Sequence, residues 1–426
     1  MNDPATTAAH AAAAVLAQLG PGAADQVDVA VGAYVWGEAL VQGLLPRLRA
    51  GGFRGRIILG GPQISYAPAG LESLYPDADV FVRGYGEAAL GALAVTPGKP
   101  EIRGVHYAGE VDRVETADVD LEALPSPWLD GAGPAPGAFV RWETQRGCPY
   151  RCSFCQHREA GARLDRRRLA SERLDREIDL FLAAGVRDIA VLDPIFNLGR
   201  DAVRILERFA DAGFTGRLSL QVRAETLTPA FLDAAARVHA RLELGLQTIH
   251  AAESLAIDRG NQLPKVDRAL SMIRARGLDH EVSLISGLPH QTLASFEASV
   301  GWCLERRVPV IKAFPLMLLR GTALEGERDR WGPVDSGGPM PMVVSVEFVL
   351  ARGRARDGPA LGRAQGHRGP APRDPGGAPA DRRRAAGEKE PDRGRWMPGV
   401  PHPAAARPLL EGEGSASARR PEVPLA

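Results

Sequence analysis

Three cysteines packed into eight residues are the part of this chain best suited to chemistry. Cys148, Cys152 and Cys155 stand in the segment Arg146-Gly-Cys-Pro-Tyr-Arg-Cys-Ser-Phe-Cys-Gln-His157 and are three of the four cysteines in the sequence. Their spacing predicts three thiolates around one point on a short loop. Three sulfur ligands are one too few for a closed tetrahedral zinc site or a fully ligated iron–sulfur cubane. The pattern therefore predicts a metal centre with one open position.

Two other interpretations of the cysteines are a zinc knuckle completed by His157 and a chance cluster of structural cysteines. A zinc site normally needs a second pair of ligands at a distance, and the sequence shows none. The fourth cysteine, Cys303, lies on a predicted amphipathic helix from Ala294 to Arg306, where we expect a buried thiol. Three cysteines needed as thiolates predict a reducing compartment, and hence a cytoplasmic location.

Charge and hydropathy exclude several classes of protein. The 426 residues contain 52 Lys and Arg against 52 Asp and Glu, so no net charge favours nucleic acid or an acidic membrane surface. No apolar run approaches the roughly 18 residues of a membrane-spanning helix. The alanine-rich stretch from Thr6 to Leu19 lacks a basic region before it and is predicted to be a helix rather than a signal peptide.

Short apolar strands alternate with helical stretches over residues 1–105, which predicts a doubly wound parallel sheet. Only a helix is predicted before the first strand, so the sheet is one strand short of a complete domain of this type. The predicted strands are Val27–Gly32, Arg56–Gly60 and Val80–Arg83, with helices at Glu38–Arg49 and Leu71–Tyr75.

Each of these strands ends in a turn rich in glycine or aromatic residues. Because ligands bind open α/β sheets at the carboxyl ends of the strands, the three turns predict a binding edge for a large ligand. Glycines allow close approach of the backbone, and aromatic rings offer flat apolar surface. An alternative is a Rossmann-like domain with no ligand, or with a different nucleotide. The turn residues are Tyr34, Trp36, Gly60, Gly61, Pro62, Ser65, Tyr66, Gly84, Gly86 and Glu87.

A linker rich in proline and glycine covers residues 106–138, and the strand–helix alternation resumes over residues 139–333. Six strands with intervening helices predict a partial (β/α)6 barrel, whose functional groups lie at strand ends. Residues 344–426 are dominated by arginine, glycine, proline and alanine, which predicts a disordered tail and suggests a reading-frame slip. The six strands are predicted at Phe139–Glu143, Asp188–Leu192, Arg217–Val222, Arg241–Leu246, His280–Ile285 and Val310–Pro315.

The cysteine pattern Cys-x3-Cys-x2-Cys, with Phe154 before the last cysteine, resembles the radical S-adenosylmethionine superfamily. The turns Tyr34-Val-Trp36, Gly60-Gly-Pro-Gln-Ile-Ser-Tyr66 and Arg83-Gly-Tyr-Gly-Glu87 resemble those of the cobalamin-binding domain in the cobalamin-dependent branch of that superfamily. The resemblance implies a [4Fe-4S] cluster on the three cysteines, S-adenosylmethionine, and cobalamin at the turns. No Asp-x-His-x-x-Gly motif occurs, so no histidine is expected to ligate cobalt from below.

The resemblance also assigns five residues to S-adenosylmethionine. It implies that Asp193 contacts the amino group, that Gln247 bonds the ribose, and that Arg259 pairs with the carboxylate. Glu225 ends the third strand of the predicted barrel. Ser283 stands where relatives often carry an aspartate that binds the ribose.

The implied function is a methyltransferase that acts on an unreactive carbon of a small molecule or a peptide. It would receive electrons from a donor such as a flavodoxin or a ferredoxin, with no nucleic-acid or membrane partner. A non-methylating member of the same group, which performs rearrangement, ring contraction or cyclisation, is an alternative. So is a protein that only binds cobalamin or a cluster.

Overall fold

The computed structural model describes residues 6–19, 27–131, 133–157, 167–336 and 341–345. One compact unit spans Ala8–Leu361. The other unit combines residues 1–7 with residues 362–426 and, apart from Thr6 and Thr7, lies outside the described residues. The tail predicted to be disordered falls outside them as well, except for residues 344 and 345.

The first sheet has four strands in the order β1-β2-β3-β4. The first three strands are parallel, and β4 is antiparallel to β3. Its strands are β1 (Val29–Gly32), β2 (Ile57–Gly60), β3 (Val80–Val82) and β4 (Val105–Tyr107). The accompanying helices are α1 (Ala8–Leu19), α2 (Glu38–Ala50), α3 (Pro62–Ser65), α4 (Leu71–Leu74) and α5 (Gly86–Val95).

The fourth strand is the main difference from the predicted first sheet. The sequence predicted only parallel strands and a boundary at residue 105, whereas β4 runs across that boundary and pairs antiparallel to β3. Three residues with His106 at their centre carry too little apolar alternation to predict a strand. Before β1, the described residues contain the predicted helix, as α1, and no strand.

The second sheet has six strands in chain order, and every neighbouring pair is parallel. All six lie where the sequence predicted them, to within one residue at each end. They are β5 (Phe139–Trp142), β8 (Asp188–Val191), β9 (Arg217–Val222), β10 (Arg241–Gln247), β11 (His280–Ser286) and β12 (Val310–Pro315). A short antiparallel pair, β6 (Gln145–Arg146) and β7 (Arg167–Arg168), flanks the cysteine segment.

Helices connect the strands of the second sheet. They are α6 (Ser171–Ala183), α7 (Ala202–Asp211), α8 (Pro229–Arg237), α9 (Ala251–Ala256), α10 (Leu263–Ala275), α11 (Leu293–Glu305), α12 (Ala323–Gly326) and α13 (Arg328–Trp331). Two 3₁₀ turns, Phe196–Leu198 and Ala224–Thr226, follow β8 and β9, and the short strands β13 (Val334–Asp335) and β14 (Val343–Ser345) pair near the end. Among the described residues, no helix is both long and apolar enough to cross a bilayer.

Alternation along the strands decides which side chains face the helices. On β10, Leu242, Leu244 and Leu246 are buried in the core shared with the helices, so Glu243 and Gln247 lie on the opposite face. Cys303 is buried on α11, as predicted, and belongs to the same core. The face that carries Glu243 and Gln247 is therefore available for polar chemistry.

A buried tryptophan anchors the first strand of the six-stranded sheet. Trp142 has no exposed surface and packs edge-on against Phe181 and Phe209, with ring centroids 5.8 and 6.0 Å away. Its indole N–H donates to the fully buried carboxylate of Glu177 at 2.7 Å, and Arg173 donates to the same carboxylate at 2.8 Å. The pair fixes α6 against the strand that leads into the cysteine segment.

Replacing Trp142 with phenylalanine should lower the free energy of unfolding by about 1–3 kcal/mol, because Glu177 loses a donor inside the core. Urea denaturation measures this loss. Trp128→Phe is the matched control, since Trp128 packs edge-on against the same Phe181 ring at 5.0 Å but is only partly buried and does not donate to Glu177. Equal losses in the two variants would contradict the role of the Glu177 hydrogen bond.

Candidate functional site

The cysteine segment begins directly after β5, and a buried carboxylate holds its start. Asp193 has no exposed surface. One of its oxygens accepts from the backbone N–H groups of Thr144 and Gln145, at 2.8 and 3.2 Å, and the other accepts from the Thr144 hydroxyl. Burial raises the pKa of Asp193 to about 6, against the lowering effect of these hydrogen bonds. The residue assigned by resemblance to the cofactor's amino group thus bonds the two residues that lead into the cysteine segment.

The three cysteines lie together on the segment as free thiols. The backbone N–H of Cys155 donates to the carbonyl of Cys152 at 3.1 Å, and the N–H of Ser153 donates to the Ile257 carbonyl at 2.9 Å. Burial, with a smaller contribution from the neighbouring thiols, raises the pKa of Cys155 to about 11 and that of Cys148 above its ordinary value. Metal binding must therefore displace protons from these sulfurs.

The cysteine arrangement bears on the choice between zinc and a cluster. Within the described ranges, no three or more His, Cys, Asp or Glu side chains converge closely enough to hold a single metal ion. Zinc would draw each sulfur to about 2.3 Å from one centre. In a cubane, each thiolate binds a different iron, so three cysteines can hold a cluster and leave one iron open.

Arg259 links the cysteine segment to the end of β10. Its guanidinium donates to the Gly245 carbonyl, to the Asn261 side chain at 3.1 Å, and to the sulfur of Cys152 at 3.7 Å. A side chain at position 245 would place its Cβ 2.8 Å from the Gln247 amide and 3.3 Å from Arg259. A larger residue there would push aside the ends of both side chains, which lie against the Gly245 backbone, with the Cys152 sulfur in reach of Arg259.

Gln247 is held in an unusual conformation with one polar atom unsatisfied. Its φ is +71°, in the left-handed region that a non-glycine residue seldom adopts. The Asn261 amide supports this bend by donating to the Leu246 and Thr248 carbonyls, both at 2.8 Å. The side-chain oxygen of Gln247 is buried without a hydrogen-bond partner among the described residues. A buried acceptor of this kind fits a ligand hydroxyl group.

The other two residues assigned to S-adenosylmethionine, Glu225 and Ser283, do not contact Arg259 or Gln247 in the hydrogen bonds described above. Glu225 is engaged by Arg223 at 3.2 Å, and both side chains are almost fully buried. Arg223 also stacks over the Tyr150 ring within the cysteine segment, 3.9 Å from its centroid. Ser283 lies on β11 in register between Gly245 and Lys312, on the face that carries Gln247.

The hydrogen bonds of Gln291 hold the conformation of the turn after β11. Gln291 has no exposed surface; its oxygen accepts from the N–H groups of Gly287 and Leu288, and its amide donates to the Ile285 carbonyl at 3.0 Å. Thr292 then caps α11 in a capping box with Ser295. These bonds hold the strand end in place beside β10.

The three turns of the four-stranded sheet are joined to one another. Gly61, with φ of +93°, approaches the Ala33 backbone so closely that a Cβ would lie 2.8 Å from its carbonyl oxygen. The N–H of Gly84 donates to the Ser65 hydroxyl at 3.0 Å. Arg83, 1% exposed, donates to the Ile64 carbonyl at 2.8 Å and to the Ala67 carbonyl. The predicted binding edge is therefore a single connected surface.

The first turn of that surface carries exposed aromatic rings. Tyr34 and Trp36 stack with their centroids 4.8 Å apart and 19° between planes. They are 42% and 67% exposed. Such a pair leaves a flat apolar area open to a ligand.

The second and third turns contact the two ends of the cysteine segment. Tyr66 donates its hydroxyl to the carbonyl of Gln156, the residue after Cys155. Arg146, two residues before Cys148, donates to Glu87 at 2.5 Å and stacks over the Tyr85 ring at 4.8 Å. The carboxyl edge of the four-stranded sheet therefore faces the cysteine segment directly.

Sequence reasoning missed several residues at this contact. Arg146 and Gln156 immediately flank the cysteine motif, which was the available signal. No sequence pattern connects Arg320 with Glu38, because the two pair across 282 residues of sequence. A cavity of about 850 Å³ also lies beside the segment; it is lined by Val119, Asp120, Leu121, Glu122, Gln145, Arg167, Arg168, Leu198 and Arg200.

Residues 142–303 match the model of the Radical SAM superfamily. This part of the chain is therefore similar to the domains of that superfamily, whose enzymes use a [4Fe-4S] cluster and S-adenosylmethionine. The match begins at the end of β5 and ends on α11, so it includes the three cysteines, Gln247 and Arg259.

Longer stretches resemble two curated proteins. The chain is 29% identical over 276 residues to the cobalamin-dependent radical SAM methyltransferase TokK of Streptomyces tokunonensis, covering 58% of this chain and 40% of TokK. It is 27% identical over 322 residues to the 2-(S-pantetheinyl)-carbapenam-3-carboxylate methyltransferase of Streptantibioticus cattleyicolor, covering 68% of this chain and 46% of that enzyme. The chain thus matches less than half the length of each relative.

A solved structure shares the fold. The radical S-adenosylmethionine methyltransferase TsrM of Kitasatospora setae superimposes with a TM-score of 0.62 at 17% identity, covering 80% of this chain and 72% of TsrM. This coverage extends well beyond residues 142–303.

Replacing Asp193 with asparagine should change how stability depends on pH. The folded-state pKa of about 6 lies above the unfolded value of 3.8, so the wild type loses stability as pH rises from about 4 to 6. This loss is ~3 kcal/mol. The asparagine variant cannot ionise there, so its stability relative to wild type should rise by that amount between pH 4 and 7.

Urea denaturation of the cluster-free chain across that pH range measures the difference. Asp211→Asn removes a carboxylate from an exposed position and serves as control, because its side chain is 67% exposed. A difference between wild type and Asp193→Asn that stays constant with pH would show that Asp193 is not the titrating group.

Proposed function

We propose that this chain is a cobalamin-dependent radical S-adenosylmethionine methyltransferase that acts on an unreactive carbon of a small molecule or a peptide. In this proposal, the four-stranded sheet is a Rossmann-like cobalamin-binding domain and the six-stranded sheet is a partial (β/α)6 barrel. The observation that carries it is the contact between the turn edge of the first sheet and both ends of the cysteine segment.

That contact supports a shared reaction site for two cofactors. Ligands of open α/β sheets bind at the carboxyl ends of the strands, and here that edge faces the cluster ligands. A corrin on the edge would therefore lie beside the cluster without any rearrangement of the two sheets. The names of the two curated relatives, both methyltransferases and one cobalamin-dependent, agree with this assignment.

The residues present fit S-adenosylmethionine. Arg259 keeps N–H groups beyond the three contacts described, and it lies next to Cys152, where a carboxylate chelated at the open iron would need a cation. Gln247 aims a buried, unsatisfied oxygen into the same region and would accept from a ribose hydroxyl. Both residues would hold the cofactor and exclude water from the cluster.

The turn edge also fits a corrin. Gly61 and Gly84 let their turns pack against the backbone of Ala33 and Ala117, which would hold the edge in one conformation for a bulky planar ligand. The stacked rings of Tyr34 and Trp36 would cover apolar ring surface. When bound, the cluster with S-adenosylmethionine would supply a carbon-centred radical and the corrin a transferable methyl group.

The inner face of the six-stranded sheet supports a polar substrate. Glu281 accepts from Arg241 at 2.6 Å and pairs with Lys312, and Glu243 lies beside them on the same face. Burial, followed by the charge of Glu281, raises the pKa of Glu243. Glu281 is buried and already paired, so Glu243, which is partly exposed, is the carboxylate of this set that would bind polar groups of a small molecule or a peptide.

Anaerobic reconstitution with iron, sulfide and hydroxocobalamin tests the proposal. We expect about four irons and one corrin per chain, and release of 5'-deoxyadenosine from S-adenosylmethionine under reducing conditions. Cys152→Ala should lose the cluster iron and the 5'-deoxyadenosine. Cys303→Ala makes the same substitution in the core and should retain both.

Methyl transfer is tested separately with methyl-labelled S-adenosylmethionine and reduced corrin. Label that appears in the bound corrin supports the methyltransferase. Bound corrin and 5'-deoxyadenosine without label would favour the non-methylating alternative. A chain that binds corrin and cluster but neither releases 5'-deoxyadenosine nor transfers label would support a binding protein. Zinc without a cluster would overturn the proposal.

A further inference from the structure

One segment after β12 contacts the cysteine segment and the four-stranded sheet at the same time. On the cysteine side, the Leu324 N–H donates to the Ser153 carbonyl at 2.9 Å, and the Gln156 amide donates to the Arg320 carbonyl at 2.8 Å. On the other side, the Arg320 guanidinium donates to the Gln63 carbonyl at 2.8 Å. Arg320 therefore contacts the second turn with its side chain and the cysteine segment with its backbone.

The side chain of Arg320 ends on a buried carboxylate. Glu38, 8% exposed, accepts from Arg320 at 2.9 Å, from the Tyr75 hydroxyl at 2.6 Å, and from the Gln63 amide. A carboxylate taken out of water is tolerated only when it is paired and hydrogen-bonded. One of its partners, Arg320, follows β12 of the six-stranded sheet. The Glu38 carboxylate is therefore fully paired only when the two sheets keep this relative position.

The packing at this point leaves little freedom for sliding. Gly321 has φ of +71°, and a Cβ there would lie 2.7 Å from the Tyr66 carbonyl oxygen. Tyr66 in turn donates to the Gln156 carbonyl. The second turn and the cysteine segment are thus joined by a closed set of contacts among Gln63, Tyr66, Gln156 and Arg320.

We infer that the Glu38–Arg320 pair sets the separation between the cluster and a corrin bound at the turn edge. This inference rests on the proposed function. Neither residue touches the reacting atoms, so both are positioning residues. Arg320 acts on the corrin side through its guanidinium, which donates to the Gln63 carbonyl, and on the cluster side through its backbone carbonyl, which accepts from Gln156, so one residue is common to both cofactor supports.

A positioning role and a purely stabilising role of the Glu38–Arg320 pair predict different results. A pair that only stabilises would affect unfolding while leaving the geometry between the cofactors unchanged. A positioning pair should change the magnetic interaction between the reduced cluster and cob(II)alamin, because dipolar coupling depends steeply on their separation. Iron and cobalt content should stay the same in both cases.

The experiment uses the full chain loaded with cluster and cobalamin, as wild type, Glu38→Gln, Arg320→Gln and the double variant. Pulsed electron paramagnetic resonance measures the cobalt–cluster coupling, and hydrogen exchange measures protection over residues 61–66 and 153–157. We expect each single variant to broaden the coupling and to accelerate exchange in both stretches by about tenfold. The double variant should match the singles rather than add them, since the two residues act as one unit.

Arg56→Gln is the matched control. Arg56 pairs with Asp28 at 2.6 Å at the opposite, amino-terminal edge of the same sheet, and both of these side chains are partly exposed. It should leave both the cobalt–cluster coupling and the exchange of these stretches at wild-type values. A coupling unchanged in Arg320→Gln and Glu38→Gln, or changed equally in Arg56→Gln, would overturn the inference.

Failure of the proposed function has a different signature. If cluster-loaded wild type binds no hydroxocobalamin, the proposed function fails and the claim about corrin separation fails with it. If wild type binds corrin and shows a defined coupling that the variants retain, only the inference fails. Should a single variant unfold, Arg320→Lys keeps the charge with a shorter reach, and it should broaden the coupling without loss of iron.

Discussion

The position of the cysteine segment depends on the buried carboxylate of Asp193. It accepts three hydrogen bonds from Thr144 and Gln145 and so ties the end of β5 to the end of β8. Because the cluster ligands begin four residues after Thr144, a displacement of Thr144 would move all three cysteine sulfurs. Burial makes the charge costly, as its raised pKa shows. The site therefore gives up some stability near neutral pH to fix the start of its most important loop.

The two sheets meet through their functional edges rather than through apolar faces. Each sheet has its own core: leucines and valines between strands and helices in the second, and a separate set around α2 in the first. Contacts between them come from turns, arginines and carbonyl oxygens. Polar contacts of this kind fix the relative orientation and separation of the two sheets, whereas apolar packing alone is not directional.

Strands and the cysteine motif could be predicted from sequence because their signals are local. The six strands of the second sheet show clear apolar alternation, and their positions are confirmed within one residue. β4 was missed because three residues give no period. The Glu38–Arg320 pair was missed because no local pattern reports a contact across 282 residues. Asp193 was identified as important, but sequence could not show that its oxygens face Thr144.

The hydrogen bonds that join the second turn, the cysteine segment and the segment after β12 end on backbone carbonyls: Tyr66 donates to Gln156, Arg320 to Gln63, and Gln156 to Arg320. A carbonyl is present whatever side chain the position carries. A substitution at an accepting position therefore leaves that acceptor in place. Divergence at this junction is constrained instead at the side chains that donate, those of Tyr66, Gln156 and Arg320.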